Sequence, residues 1–81
     1  MGTRAEQTAR MARSLQRQLG QFLRKRRGHI TLPTFARKLG ISSSSLHRME
    51  MGEQNVTLKT LEHVLKRLKC SISDVFDISN G

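Results

Sequence analysis

The feature that most constrains the fold is the spacing of four residues, Ala36, Gly40, Ile41 and Leu46. Gly40 follows the small Ala36 by four residues, and the apolar Leu46 comes six residues after the glycine. Two helices that cross steeply through a three-residue turn need a small side chain at the crossing and a residue that adopts positive φ in the turn. They also need apolar anchors on both inner faces. The spacing therefore predicts a pair of short helices within residues 32–51.

Capping signals on both sides of the turn support this pair. Thr31 can cap the first helix, whose first turn contains Pro33 and which ends at Gly40. Ser42 can cap the second helix, which ends at Gly52. The inner positions predicted for the two helices are Phe35, Ala36, Leu39, Leu46 and Met49.

Periodic apolar residues predict three more helices. Met11, Leu15, Leu19, Phe22 and Leu23 are spaced by three and four, which predicts a helix from about Thr8 to Arg27. A fourth helix and a short final turn follow, the first capped by Thr57 and the second by a capping-box pattern of Ser71 with Asp74. The apolar positions of these last two elements are Leu58, Leu61, Val64, Leu65, Leu68, Val75 and Phe76. No stretch resembles a strand, so the predicted fold class is all-α, a compact domain of five helices with an extended basic N-terminal helix.

Length bounds the organisation of the chain. With 81 residues, of which 36% are hydrophobic, the sequence can form one small domain and no large enclosed substrate pocket. We predict a basic N-terminal extension at residues 1–13, the helical domain at residues 14–78 and a tail at residues 79–81.

Positive charge is concentrated in the first third of the chain. The whole sequence has 15 basic and 6 acidic residues, a net charge of +9, and residues 1–27 alone have eight basic residues against one acidic residue, a net charge of +7. Three Phe and no Trp or Tyr leave few rings for stacking on single-stranded bases. Double-stranded DNA or a protein is the partner class that fits better.

Two arginines late in the first helix need a partner. If the spacing of the apolar residues in the first helix is extended to its end, Arg26 lies within the apolar stripe and Arg27 at the edge of that stripe, whereas Arg24 points away from it. One of Arg26 and Arg27 should therefore pair with a carboxylate. The helical phase leaves open which of the two does so.

The run from Thr31 to Gly52 resembles the lambda-repressor-like, Cro-type helix-turn-helix family of XRE-like transcriptional regulators. The resemblance continues through residues 57–61 to residues 74–76, and back to residues 19–24. It implies that residues 43–51 form a recognition helix in the major groove of DNA. In this family the glutamate that matches Glu50 pairs with an arginine late in the first helix. The position of the apolar stripe indicates the same segment, in which Arg26 or Arg27 is the partner.

The resemblance also implies the residues that contact DNA. Matching the reading positions of the family gives four candidates for base contacts, Ser43, Ser44, His47 and Arg48. Arg48 is the strongest of these, because a guanidinium can donate two hydrogen bonds to guanine O6 and N7. The sequence departs from the family where a glutamine commonly opens each motif helix, since Leu32 and Ser43 occupy those places. Candidates for phosphate contacts are Thr31, Thr34, Lys38, Gln54 and Asn55.

Other classes of function lack the residues they need. No carboxylate pair, nucleophile with a base, or histidine cluster has a spacing that indicates catalysis or a metal site, so we predict no enzyme activity and no cofactor. The single cysteine, Cys70, rules out an intramolecular disulfide and fits a reducing cytoplasm. We predict neither a membrane span nor a secretory signal.

The function predicted from these observations is sequence-specific binding of double-stranded DNA by a transcriptional regulator, most simply a repressor that acts as a homodimer on a palindromic site. Candidate dimer surfaces are the C-terminal residues Val75, Phe76 and Ile78, or the N-terminal helix around Met11 and Leu15. Two alternatives stay open at this point. One is an antitoxin that neutralises a protein partner through its N-terminal arm, and the other is a largely non-specific basic nucleic-acid-binding protein.

Overall fold

The computed structural model describes residues 4–53 and 56–76, except for the side chain of Ala9. These residues form five helices and no strand: α1 (Arg4–Arg27), α2 (Leu32–Leu39), α3 (Ser43–Glu50), α4 (Leu58–Leu68) and α5 (Ile72–Val75). The predicted all-α fold with an extended N-terminal helix is therefore confirmed. The α3 helix ends one residue before the predicted residue 51, and Met51 forms its C-cap.

The α1 helix begins at Arg4, four residues before the predicted start at Thr8. The prediction relied on apolar spacing, which begins only at Met11, whereas the first turns consist of strong helix formers such as Arg, Ala, Glu and Gln. The side chains described between residues 4 and 14 are all exposed. Local propensity rather than burial therefore forms this part of α1. The proposed division of the chain after residue 13 falls inside this continuous helix.

Hydroxyl caps begin the three helices that follow. The backbone N–H of Ser45 donates to Ser42 Oγ at 3.0 Å, and the hydroxyls of the two serines are hydrogen-bonded to each other. The same arrangement recurs at the start of α2 and of α4, where a threonine cap binds a threonine three residues later. The caps predicted at Thr31, Ser42 and Thr57 are thus all present, because each hydroxyl satisfies an N–H that the first helical turn leaves unpaired.

The core lies where α3 and α5 pack against the second half of α1 and where α2 packs against α3 and α4. Its most buried members include Leu23, Phe35, Leu39, Leu46 and Val64. Leu58, one of the periodic apolar positions of the fourth helix, is not part of this core, because its side chain is 82% exposed. Leu58 keeps the helical phase of Leu61, but it is the first residue of α4 and extends past the edge of the core.

The C-terminal residues correct another prediction. Val75 and Phe76 are buried in the core of the same chain, so they do not form an exposed dimer surface. Ile78 lies outside the described residues. Asp74 accepts hydrogen bonds from the backbone N–H of Ser71 at 2.8 Å and from the Ser71 hydroxyl at 3.1 Å, as the capping-box pattern indicated. These bonds, the backbone one first, lower the pKa of Asp74 below its ordinary value.

Candidate nucleic-acid interface

The turn between α2 and α3 has the backbone geometry that the sequence spacing requires. Gly40 has a φ of 73° and follows the last residue of α2. Its N–H donates to the Arg37 carbonyl at 3.1 Å, and the next N–H along the chain donates to the Ala36 carbonyl at 3.0 Å. A Cβ at Gly40 would lie 2.7 Å from Nε2 of the exposed His63 side chain, which can move aside, so the positive φ is the reason that this position favours glycine. The turn thereby fixes how α3 is oriented against α2.

The α3 helix separates a buried face from an exposed face. Leu46, Met49 and Glu50 are buried, whereas His47 and Arg48 between them are exposed. The first turn presents Ser43 and Ser44 to solvent as well. Since the buried residues hold the helix in one rotational setting, the exposed polar residues all point to the same side of the domain.

These four polar residues line one shallow depression. Its volume is about 440 Å³, and its other two lining residues, Leu32 and Pro33, come from the start of α2. The structure therefore brings together Ser43, Ser44, His47 and Arg48, the candidates for base contacts. It also shows an apolar edge from α2 that the sequence reasoning did not include, on the side where Leu32 replaces the glutamine of related proteins. We call this depression, with its six lining residues, the reading surface.

Two of the phosphate-contact candidates lie next to the reading surface. Thr31 caps α2, and its hydroxyl donates to Thr34 Oγ1 at 2.9 Å and accepts from the Thr34 N–H at 3.4 Å. Both side chains are exposed. The start of α2 thus presents two hydroxyls and the positive end of a helix dipole beside the depression, a combination that favours an anion.

The other phosphate-contact candidates are not brought to the same place. Lys38 lies at a separate concavity, with Arg26, Arg67 and Lys69 as its other charged lining residues. Gln54 and Asn55 lie outside the described residues. The reading surface and its rim therefore contain Thr31 and Thr34 but not Lys38.

Arg27 is the arginine that pairs with the buried carboxylate. Its Nε and one terminal nitrogen donate to the two oxygens of Glu50 at 2.8 and 2.9 Å, which is a bidentate pair. The side chain of Glu50 is 5% exposed and that of Arg27 is 25% exposed. The hydrogen bond from Arg27 to Glu50 raises the pKa of the guanidinium, which stays charged. The third nitrogen of Arg27 donates to the Ile30 carbonyl, so one side chain connects α1, α3 and the segment before α2.

Arg26 has a different role from Arg27. Its guanidinium lies 5.6 Å from the centre of the Phe22 ring and donates to the Leu68 carbonyl and to Cys70 Sγ, each at 3.2 Å. The helical phase had placed Arg26 within the apolar stripe, but its side chain is exposed at the rim of the core. Arg26 therefore joins the end of α1 to the end of α4, and its charge also helps to lower the pKa of Asp74.

Gly20 is a structural residue that the sequence reasoning missed. A Cβ at this position would lie 2.7 Å from the carbonyl oxygens of both Met49 and Glu50. The backbones of α1 and α3 are thus in direct contact behind the reading surface. The available signal was an isolated glycine inside a strong helical pattern, which often marks a close approach.

A cluster of metal-ligating side chains or a long apolar helix would indicate another class of site. Among residues 4–53 and 56–76 there is no group of three metal-ligating side chains. None of the helices described is long and apolar enough to span a membrane.

Two short helices joined by a three-residue turn, the second of which presents polar residues on its exposed face, define a helix-turn-helix DNA-binding protein. The chain belongs to the family of the Cro/C1-type helix-turn-helix DNA-binding domain, whose model matches residues 18–80. The family resemblance seen in the sequence is thereby confirmed, and double-stranded DNA is the partner class that the domain supports. Comparison with curated proteins and with solved structures found no significant match.

Proposed function

We propose that the protein is a sequence-specific regulator of transcription, a repressor that inserts α3 into the major groove of double-stranded DNA. One observation carries this proposal. The exposed face of α3 gathers its polar residues in a single shallow surface, and the packing of Leu46, Met49 and Glu50 fixes the direction in which that surface points. A rigid helix with such a face suits base readout in a major groove about 12 Å wide.

Arg48 is the residue that we assign to base reading. It lies between the buried Leu46 and Met49, and its own side chain is exposed at the reading surface. Its guanidinium can donate two hydrogen bonds to one guanine. His47 and the two serines add shorter polar contacts, and the hydroxyls at the start of α2 hold a phosphate that sets the position of the domain on the duplex.

Repression follows from occupancy in this proposal. A domain of this size bound at a promoter excludes other proteins from the same DNA. A second copy bound with two-fold symmetry would place two reading surfaces about 34 Å apart, one helical turn of B-DNA, and would recognise a palindrome.

Selection from a random duplex library tests the proposed specificity. We expect enrichment of one inverted repeat, because two copies of the same reading surface contact the two half-sites. If no sequence were enriched, the alternative of a non-specific nucleic-acid-binding protein would replace this proposal.

The substitution Arg48→Ala tests the assigned contact on the selected site. We expect a loss of about 1–3 kcal/mol of binding free energy and a relaxed preference at one base pair in each half-site, with little change on random DNA. Lys38→Ala is the matched control, because it also removes one exposed positive charge but lies away from the reading surface. Titrations of specific and random duplexes at one salt concentration measure both effects. An equal loss on both duplexes would make Arg48 a phosphate contact.

A further inference from the structure

We propose that the apolar face shared by α1 and the start of α4 is the surface on which a second copy of this chain docks. This α1–α4 face comprises Met11, Ala12, Leu15, Leu58 and Leu61. The inference rests on the proposed function in one respect, because binding to a palindromic site requires two copies of the chain related by a two-fold axis.

An apolar groove runs through this face. It has a volume of about 230 Å³, and its apolar walls include Leu15 and Leu19 from α1, Leu61 from α4, and Phe76. A second depression, of about 410 Å³, lies on the other side of Leu58 and Leu61 and extends to Ile72. Leu58 therefore forms a ridge between two depressions whose walls are mainly apolar.

Large apolar side chains project from the same face. Leu58 is 82% exposed and Met11 is 64% exposed. Exposed leucines are common one at a time, but Leu58 lines both of these open apolar grooves. A surface that has both a projecting side chain and a depression can be complementary to a copy of itself. Such self-complementarity is what an isologous two-fold contact requires.

Between Ala5 and Leu19 the α1 part of the face has no charged residue, although α1 is strongly basic. The positions that continue the buried stripe of Leu19 towards the N-terminus are Leu15, Ala12, Thr8 and Ala5. Arg10, Arg13 and Arg17 are on the other sides of α1, whereas Arg4, the first residue of the helix, has the helical phase of Met11 and Leu15. The uncharged stripe is unsuited to phosphate, and it allows two chains of net charge +9 to approach while their arginines stay in solvent.

The exposed area of the chain leaves room for such a contact. The chain exposes 6281 Å² of surface, whereas a compact monomer of its mass exposes about 4900 Å². Part of the difference lies in α1, whose described side chains between residues 4 and 14 are all exposed. A stable interface buries about 800 Å² on each partner, which is smaller than this excess.

Sedimentation equilibrium of the full chain tests the proposal with two variants and a control. Leu58→Glu and Met11→Glu each place a charge on the α1–α4 face. Leu58 begins α4, where a carboxylate interacts favourably with the helix dipole, so we expect this variant to fold. Ile30→Glu is the control, because it makes the same change at an exposed apolar residue beyond the opposite end of α1.

We expect the wild-type chain to dimerise, and we expect both variants on the face, but not the control, to weaken dimerisation about tenfold or more. On a palindromic duplex, Leu58→Glu should bind each half-site independently. Dimerisation of Leu58→Glu equal to that of wild type would overturn the proposal. The proposal would also be overturned if one wild-type chain, and never two, bound each palindromic duplex. It would be overturned as well if a different protein bound this chain and Leu58→Glu abolished that binding.

The same measurements separate this proposal from the proposed function. If the wild-type chain dimerises through Leu58 but selects no DNA sequence, the docking surface stands and the regulatory function fails. If Leu58→Glu dimerises normally while the chain enriches an inverted repeat, the function stands and the surface is wrong.

Discussion

The two short helices of the motif and the first turns of α1 form helix for opposite reasons. The α2 and α3 helices have eight residues each, too few to be stable alone, and each buries three side chains in the core. The described side chains of α1 between residues 4 and 14 are all exposed, and this segment is helical because its residues favour helix. Tertiary packing thus determines the structure of the motif, and local propensity determines that of the extension. Substitutions should therefore affect the two regions differently.

The largest effect is expected where α1 passes directly against α3. Gly20→Val would place a branched side chain against the backbone carbonyls of Met49 and Glu50, which cannot move aside as a flexible side chain could. We expect the melting temperature to fall by more than about 15 °C. Arg10→Val, in the exposed part of the same helix and on the side opposite the apolar stripe, is the control and should change it by less than about 3 °C. A similar effect of both substitutions on thermal unfolding would show that packing does not separate the regions.

Breaking the ion pair behind α3 should have the next largest effect, with an asymmetry between its members. Arg27→Met leaves the almost fully buried carboxylate of Glu50 without its donors, and we expect the melting temperature to fall by about 10 °C. Glu50→Gln leaves Arg27, which is partly exposed and can be hydrated, so a smaller fall is expected. Thermal unfolding of both variants at neutral pH checks the order, and a larger fall for Glu50→Gln would contradict it.

Glycine substitutions compare the two regions directly. Arg37→Gly in α2 should cost about 1 kcal/mol of stability, because α2 must be helical for the domain to fold. The double variant Ala5→Gly, Gln7→Gly should lower the helix signal in circular dichroism and leave the melting temperature within about 2 °C of wild type. If the double variant unfolded at a clearly lower temperature, the start of α1 would be part of the cooperative unit.

The smallest expected effect concerns the pH dependence of α5. Hydrogen bonds from Ser71 lower the pKa of Asp74 in the folded chain, so its carboxylate contributes stability above the pKa of the unfolded chain. That contribution is lost as the pH falls through the lower pKa of the folded state. Asp74→Asn should therefore be slightly less stable than wild type at pH 7, and the difference should shrink below about pH 4. A difference in melting temperature that is independent of pH would exclude this role.

The motif and the caps could be predicted from sequence because the signals are local. A glycine four residues after Ala36, and a hydroxyl residue before each of the last four helices, specify short-range geometry that does not depend on the rest of the chain. The start of α1 was predicted too late because apolar spacing reports burial, and this segment has none.

The errors concern contacts between distant parts of the chain. Leu58 has the same helical periodicity as the buried residues of α4, but its side chain is exposed. The path of α1 determines where the core ends, and no local sequence pattern encodes that path. Arg26 and Arg27 are neighbours on the helix, and only the position of α3 decides that Arg27 reaches Glu50. For the same reason, sequence proposed the four polar residues of the reading surface but could not show that Lys38 lies apart from them.

The continuity of α1 has a consequence for the spacing of an operator. The helix contacts α3 at Gly20 and lines the α1–α4 face at Ala12, eight residues earlier, with no loop between them. An unbroken helix rises about 1.5 Å and turns about 100° for each residue, so these eight residues correspond to about 12 Å and slightly more than two turns. In the proposed dimer, the number of base pairs between half-sites is therefore set by a count of residues in one helix. One extra residue between Ala12 and Gly20 would rotate the docking face away from its partner while leaving each reading surface intact.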